Sequence, residues 1–394
     1  MIAGSQKNVV VLGATGSIGA STLDIIARHP DKFNVLAISG HKNINKLVEL
    51  AQKFKPDFVV VSDENKYTQL SGLIPVECTV LAGAQELVTI CQLDAVDMVV
   101  AGIVGAAGMQ PVLATVEAGK TLLLANKEAL VLAGELVMKA VLDNDATIIP
   151  LDSEHNAIYQ CLPDSYRCGN KPQNLDKIIL TASGGPFWNK EASTFVQITP
   201  DEACSHPNWN MGRKISVDSA TLMNKGLEII EAHWLFNLNE KDIDIHVHPQ
   251  SIVHSMVCYK DGSVLAQLGE PDMRIPIANG LGMPERITSG ANMLDLLQRQ
   301  DLQFFAPDYQ KFPCLALAKQ SIKAGGTSMA VLNAANEISV EAFLNKQISF
   351  TDIAAINAEI MTNITISQVE NVAQLLQLDE EVRANACQMV KQYA

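Results

Sequence analysis

The sequence predicts a multidomain protein of mixed α/β and α+β class: a parallel, doubly wound domain first, an α+β domain second and a helical bundle last. Three observations carry this. Short apolar runs alternate with helical stretches from Asn8 to about Pro150. The pattern then shifts to strands joined by tight turns, with one polar-striped helix, as far as about Arg286. A polar, Pro-containing connector follows, and from about Pro313 only helical periodicity remains. The expected division is 1–151, 152–286, a linker over 287–312, and 313–394.

The 394 residues suit two or three domains. Hydrophobic residues at 48% and charged residues at 18% describe a folded chain rather than a disordered one. A net charge of -14 disfavours a general nucleic-acid binder, since phosphate backbones are held by clustered Lys and Arg. Eight cysteines without a CxxC pair read as reduced, mostly buried thiols. The opening "MIAGSQKNVVVLG" lacks a long apolar stretch and runs directly into a strand, so neither signal peptide nor lipid anchor is expected. The most apolar region, Asp97 to Lys120, is interrupted by Gly, Gln and Pro and offers no membrane span. The expected location is cytoplasmic.

Taken in order, "VVVLG", "NVLAISG", "PDFVVVSD", "AVDMVVAG", "TLLLANK" and "ATIIPLD" are near-continuous apolar runs, as strands covered on both faces should be. Between them, "ASTLDIIARHP" and "NINKLVELAQKF" carry apolar residues at helical spacing. In the second region "DKIILTASG" and "DIDIHVHPQSIVHSMVCYKDGSVLAQLGEP" read as strands, with a "KDGS" turn, and "SATLMNKGLEIIEAHWLF" reads as one helix. In the tail, "CLALAKQSIKAG", "SMAVLNAANEISVEAFLN", "FTDIAAINAEIM" and "EEVRANACQMVKQY" read as helices punctuated by "AGGT" and "SFTD".

The loop "VVVLGATGSIG" places Gly13, Gly16 and Gly19 between a first strand and a first helix. Glycines let backbone approach a pyrophosphate whose charge is met by the helix N-terminus, so a Rossmann-like dinucleotide site is expected. The spacing is GxxGxxG rather than GxGxxG. The second strand ends "ISGHKN" instead of in the acid of an NAD site, and His41 and Lys42 would meet a 2'-phosphate, with Ser39 and Asn43 as neutral donors. This points to NADP; the bland alternative makes Lys42 a solvated helix-start residue.

Asp152 and Glu154 follow the last apolar strand, and the bland alternative makes them only the end of that strand and the start of a helix. Two apart in an extended segment, they would point the same way and converge on a hard cation such as Mg2+ or Mn2+. A third ligand is sought in "DSATLMNKGLEIIEAHWLF", where Asn224, Lys225, Glu228 and Glu231 recur at helical spacing; a solvated surface stripe is the competing reading. The Ser-Gly-Gly turn in "TASGGPFW", with Ser219, Asn224 and Lys225, could cradle a phosphate. "HPNWNMGRK", with Trp209, has the composition of a lid. Lys127 follows a strand and could meet cofactor or substrate. For His155, His233, His246, His248 and His254, structural imidazoles are the default, because "HVHP" lacks the thiols of a strong zinc site.

Together "GATGSIG", "ANKEAL", "DSEHNAIYQ", "TASGGPF", "HPNWNMGRKISVDSATLMNKGLE" and "HPQSIVHSMV" resemble the 1-deoxy-D-xylulose 5-phosphate reductoisomerase family as far as about residue 285, and the tail matches in character. The resemblance implies NADPH-dependent, divalent-metal-assisted rearrangement and reduction of 1-deoxy-D-xylulose 5-phosphate to 2-C-methyl-D-erythritol 4-phosphate, in homodimers of V-shaped protomers that dimerise through the 152–286 domain. It implies Asp152, Glu154 and Glu228 as metal ligands, with Glu231 a supporting acid. It implies Ser183, Ser219, Asn224 and Lys225, with His206 nearby, for the phosphate, and Lys127, Ser153 and Glu154 for the sugar hydroxyls. Trp209 and Met211 fall in the matching lid. Cofactor contacts are implied for Gly13, Ala14, Thr15, Gly16, Ser17, Ile18, Gly40, His41, Lys42, Asn43, Asn126, Lys127, Glu128 and Gly212.

Two positions depart from the family pattern, Ala14 in the glycine loop and Ala182 before the Ser-Gly-Gly turn. Ala14 should alter NADPH affinity modestly, because the loop binds through backbone donors. Ala182 requires that its position hold ordinary β geometry. The competing functions are a simple NADP-dependent or semialdehyde dehydrogenase, which would need no metal or a catalytic Cys, and a non-catalytic NADP-binding regulator.

Overall fold

The structure, a computed structural model, describes residues 6–206, 212–298 and 301–393. The first part is a seven-stranded parallel sheet of β1 (Lys7–Leu12), β2 (Phe33–Gly40), β3 (Phe58–Val61), β4 (Thr79–Ala82), β5 (Met98–Ala101), β6 (Thr121–Leu124) and β7 (Thr147–Pro150), in the order β4-β3-β2-β1-β5-β6-β7. Its helices are α1 (Ser17–Arg28), α2 (Ile44–Phe54), α3 (Tyr67–Ser71), α4 (Ala84–Cys91), α5 (Met109–Glu117) and α6 (Lys127–Asp143). Val9, Val10 and Val11 are fully buried, as continuous β-branched runs are when helices cover both faces; each such side chain contributes about 1.5–3 kcal/mol. Strand order reverses between β1 and β5, the switch point where such sheets open a crevice. β4 is a strand that the apolar-run reading omits: it lies at the sheet edge and is only partly buried.

Next comes α7 (Ser153–Cys161), then a four-stranded sheet ordered β11-β10-β8-β9, from β8 (Leu175–Ala182), β9 (Ile243–Val247), β10 (Val253–Tyr259) and β11 (Val264–Leu268). β10 runs antiparallel to β8 and β11, and β8 parallel to β9. With it go α8 (Pro200–Ala203), α9 (Arg213–Ala220), α10 (Met223–Phe236) and α11 (Arg274–Gly282).

The single helix expected over Ser219–Phe236 is a misreading. α9 ends at Ala220, Leu222 takes a left-handed φ of 58°, and α10 begins at Met223, whose N-H is met by Thr221 Oγ1 at 3.3 Å. The break aims α10 inward, and its polar stripe is not solvated: Lys225, Glu228 and Glu231 are all buried. α11 returns to the first sheet, where a Cβ on Gly280 would lie 2.6 Å from Leu123 Cδ2.

In the expected linker, Phe305 forms a bridge to Val247 and packs on Trp188, and Phe304 stacks on His248 at 4.6 Å between centroids. The tail is a bundle of α12 (Pro313–Ala324), α13 (Ser328–Leu344), α14 (Phe350–Asn363) and α15 (Val372–Tyr393), with α13 central and packed also on α6 and α9. α15 starts earlier than the run beginning at Glu380 suggests. Ser349 and Asp352 form a reciprocal capping box at α14. Among the described residues, no helix is long and apolar enough to cross a membrane.

Candidate active site

A cavity of about 340 Å³ lies between the C-terminal ends of the parallel strands and the β8–α9–α10 region. Asp152, Glu154 and Glu228 meet there, with ligand oxygens all within 4.8 Å of one another. The reason differs from the extended segment expected. Asp152 is the N-cap of α7, its Oδ1 accepting from Glu154 N at 3.2 Å, and Glu154 sits in the helix's first turn. A helix start, rather than a strand face, therefore brings the two acids together. A second group meets the same spacing: Asp152, His155 and Glu231. His155 is fully buried, with Nδ1 3.1 Å from Glu231 Oε2 and Nε2 2.8 Å from Glu228 O, so Glu231 stands behind the first trio.

Two ammonium groups balance the acids. Lys127 pairs with Asp152 and lies 3.7 Å from Glu228 Oε1; Lys225 lies 3.0 Å from Glu154 Oε1 and pairs with Glu228. Asn224 donates to Glu228 Oε1 at 2.6 Å and Ser153 to Glu154 Oε2 at 2.5 Å. Burial alone would raise the Glu154 pKa, but Lys225, the Ser153 hydroxyl and Lys127 outweigh it and hold the carboxyl below the usual carboxylate range. Oxygen donors of this kind suit a hard divalent cation.

Beside them is the polar cradle. Gly184 and Gly185 have φ of +83° and +67°, and a Cβ on Gly185 would lie 2.6 Å from Ser219 O, so only glycine lets this turn seat Ser183 against α9. Ala182 ends β8 in extended geometry, as its departure from the family pattern requires. Ser183 Oγ lies 2.8 Å from His206 Nε2, and burial pushes the His206 pKa down. Ser183, His206, Ser219, Asn224 and Lys225 all face the cavity.

The opposite wall is the glycine loop. A Cβ on Gly13 would lie 2.6 Å from Gly102 O and one on Gly19 2.4 Å from Ala14 Cα, which fixes glycine at both. No side chain caps α1 at Gly16, and Gly16, Ser17 and Ile18 face the cavity, an arrangement that fits a phosphate at the helix N-terminus. Gly13, Ala14, Thr15 and Gly40 lie outside its lining, and Ala14 is buried. His41, Lys42 and Asn43 are exposed beyond β2; His41 Nδ1 is 2.9 Å from Ser62 Oγ, and Asn43 caps α2. Ser39 corrects an expectation: it is buried and accepts from Gly13 N at 3.0 Å, bracing the loop instead of facing a 2'-phosphate. Asn126, Lys127 and Glu128 line the cavity at the start of α6, although the Asn126 amide is engaged by Ala129 N, Ile103 O and Gly105 O.

Gly212 caps α9 and lines the cavity, whereas Trp209 and Met211 lie outside the described residues. Lining residues that the motifs did not single out include Gly102, Ile103, Val104, Lys214 and Asp218. The i,i+4 spacing of the last two was a usable signal. His248 is structural: its Nδ1 is 2.8 Å from Gln303 O, and its Nε2 accepts from Ile252 N and Val253 N. Among the described residues no cysteine lines the cavity, and burial pushes the Cys91 thiol up to about 12.

Residues 9–134 match the family described as 1-deoxy-D-xylulose 5-phosphate reductoisomerase, 148–236 its C-terminal domain, and 268–385 a further DXP reductoisomerase C-terminal domain. The chain is 52% identical over 388 residues to the 1-deoxy-D-xylulose 5-phosphate reductoisomerase of Burkholderia lata, covering 98% of this chain and 97% of the relative. It is 53% identical over 384 residues to that of Paraburkholderia phymatum, covering 97% and 95%. A crystal structure of DOX-P reductoisomerase with NADPH, fosmidomycin and magnesium superposes with a TM-score of 0.92 at 46% identity over 98% of both chains. The Zymomonas mobilis enzyme in complex with NADPH gives 0.92 at 43% identity, over 98% of this chain and 100% of that one.

Proposed function

The chain belongs to the 1-deoxy-D-xylulose 5-phosphate reductoisomerase family, and from that premise we propose how its cavity carries out the family's reaction. The protein converts 1-deoxy-D-xylulose 5-phosphate and NADPH into 2-C-methyl-D-erythritol 4-phosphate and NADP+, a step of non-mevalonate isoprenoid synthesis. Asp152, Glu154 and Glu228 hold the divalent cation, Mg2+ or Mn2+. Bound there, it supplies Lewis acidity toward the substrate's ketone and hydroxyl oxygens. Ser183, Ser219, Asn224, Lys225 and His206 grip the phosphate, fixing the far end of the sugar, while Lys127 and Ser153 orient its hydroxyls. The carbon skeleton first rearranges to a branched aldehyde with no change in oxidation state. NADPH, whose pyrophosphate the glycine loop would hold, would supply the hydride that reduces that carbonyl, and a proton completes the alcohol.

The observation that carries this reading is the convergence of Asp152, Glu154 and Glu228 in a cavity whose other wall is the loop from Gly16 to Ile18. Among the described residues no thiol lines the cavity to support a semialdehyde dehydrogenase. The test follows NADPH absorbance with purified protein and 1-deoxy-D-xylulose 5-phosphate, with Mg2+ or Mn2+ present or chelated. Metal-dependent oxidation is expected; cofactor binding without turnover would leave a regulator.

The reading includes a homodimer. β11 is an edge strand whose Val264 and Leu265 are half exposed, a surface suited to a second copy, and sedimentation tests it. It also includes a cytoplasmic location and working divisions at 151/152, 286/287 and 312/313.

A further inference from the structure

Lys214 stands in the first turn of α9 with its side chain directed into the cavity. Its Nζ lies 2.9 Å from Asp218 Oδ2 and 3.6 Å from Glu128 Oε1. Asp218 is 1% exposed, and its other oxygen accepts from Asn336 Nδ2 at 2.8 Å. Asn336, fully buried on α13, accepts in turn from Asn357 Nδ2 at 3.1 Å, and Asn357 Oδ1 accepts from Ser339 Oγ at 3.0 Å. A run of polar contacts thus leads from the C-terminal bundle to the cavity wall. Asp218 is gripped from behind by an amide that is itself gripped, so its carboxylate has one orientation to offer Lys214, and the ammonium has one place to sit. Glu128, at the start of α6, faces that ammonium and the same cavity as the glycine loop.

We propose that Lys214 is a positioning residue for cofactor binding: anchored through Asp218 to Asn336 of the helical tail, it fixes the carboxylate of Glu128 where NADPH is met. This rests on the reading that Glu128 contacts the cofactor. A bland alternative makes the Lys214–Asp218–Asn336 run a staple between α9 and α13 that adds stability alone. The two differ in what they move.

The experiment measures the NADPH dissociation constant by cofactor fluorescence, without substrate, alongside Tm and steady-state constants, for E128Q, K214Q, K214R, N336A and the E128Q/K214Q pair. If Lys214 acts through Glu128, each of E128Q and K214Q weakens NADPH by about fivefold or more, and the double variant loses little beyond the worse single one instead of multiplying the two. K214R recovers most of the affinity, N336A weakens NADPH by about two- to threefold although it lies outside the cavity lining, and K214Q raises KM for NADPH by a larger factor than it lowers kcat. A folded K214Q with lowered Tm but unchanged NADPH affinity overturns the proposal in favour of the staple. Should K214Q fail to fold, N336A decides, and unchanged affinity there overturns it. If E128Q alone leaves affinity unchanged, the reading of Glu128 as a cofactor contact fails, and the role of Lys214 fails with it.

Discussion

Lys225 Nζ lies 3.0 Å from Glu154 Oε1, although the two residues are 71 positions apart on α10 and α7. Because Lys225 also pairs with Glu228, one ammonium joins two of the three acids proposed to hold the cation and stands beside the cradle proposed for the phosphate. The two halves of the site are therefore electrostatically one unit.

Replacing Lys225 with Ala removes a buried cation from the cradle. KM for the sugar phosphate should rise by about 10- to 100-fold, with NADPH affinity little changed. Steady-state kinetics in both substrates check it, and an unchanged KM removes Lys225 from phosphate binding.

For Glu228→Gln, the charge and one of the carboxylates proposed to hold the cation are lost in a site that keeps its shape. Turnover should fall by about 100-fold or more and the metal concentration needed for half activity should rise, while NADPH fluorescence titrations stay near wild type. Kinetics like those of the parent protein would reject Glu228 as a ligand.

Gly185→Ala puts a Cβ on a backbone of φ +67° and 2.6 Å from Ser219 O. The cost should be about 1–3 kcal/mol, seen as a lower Tm, with a raised sugar-phosphate KM as Ser183 is displaced. A variant with unaltered Tm and KM would show that the turn has another conformation available.

The His206 pKa is pushed below the usual 6.5 by burial. A histidine whose folded pKa is depressed binds fewer protons than the unfolded chain, so its contribution works against the fold as pH falls from 6.5 through the folded value and is absent above 6.5. NMR titration of the imidazole should give a midpoint below 6.5, and a midpoint above it contradicts the burial argument.

The parallel sheet was legible because its strands are unbroken apolar runs, whereas β4 was not, being half-exposed at the edge. The acids Asp152 and Glu154 are legible as a pair, but the extended geometry expected to align them gives way to the alternative of a strand end and helix start, with Asp152 as the cap of α7. The break at Leu222 could not be read, since nothing in "SATLMNKGLE" interrupts helical periodicity and a left-handed leucine is held by tertiary packing. Ser39 was misplaced because the sequence shows that it ends a strand but not that it turns back to the first loop. Lys214 and Asp218 carry only their i,i+4 spacing in the sequence, because Asn336, the partner of Asp218, lies in a distant helix that looks like ordinary bundle.

Mn2+ anomalous diffraction tests the central claim most directly. Crystals grown with Mn2+ should show one strong anomalous peak about 2.2 Å from oxygens of Asp152, Glu154 and Glu228. A peak among Asp152, His155 and Glu231 instead, or none in the cavity, would contradict the account.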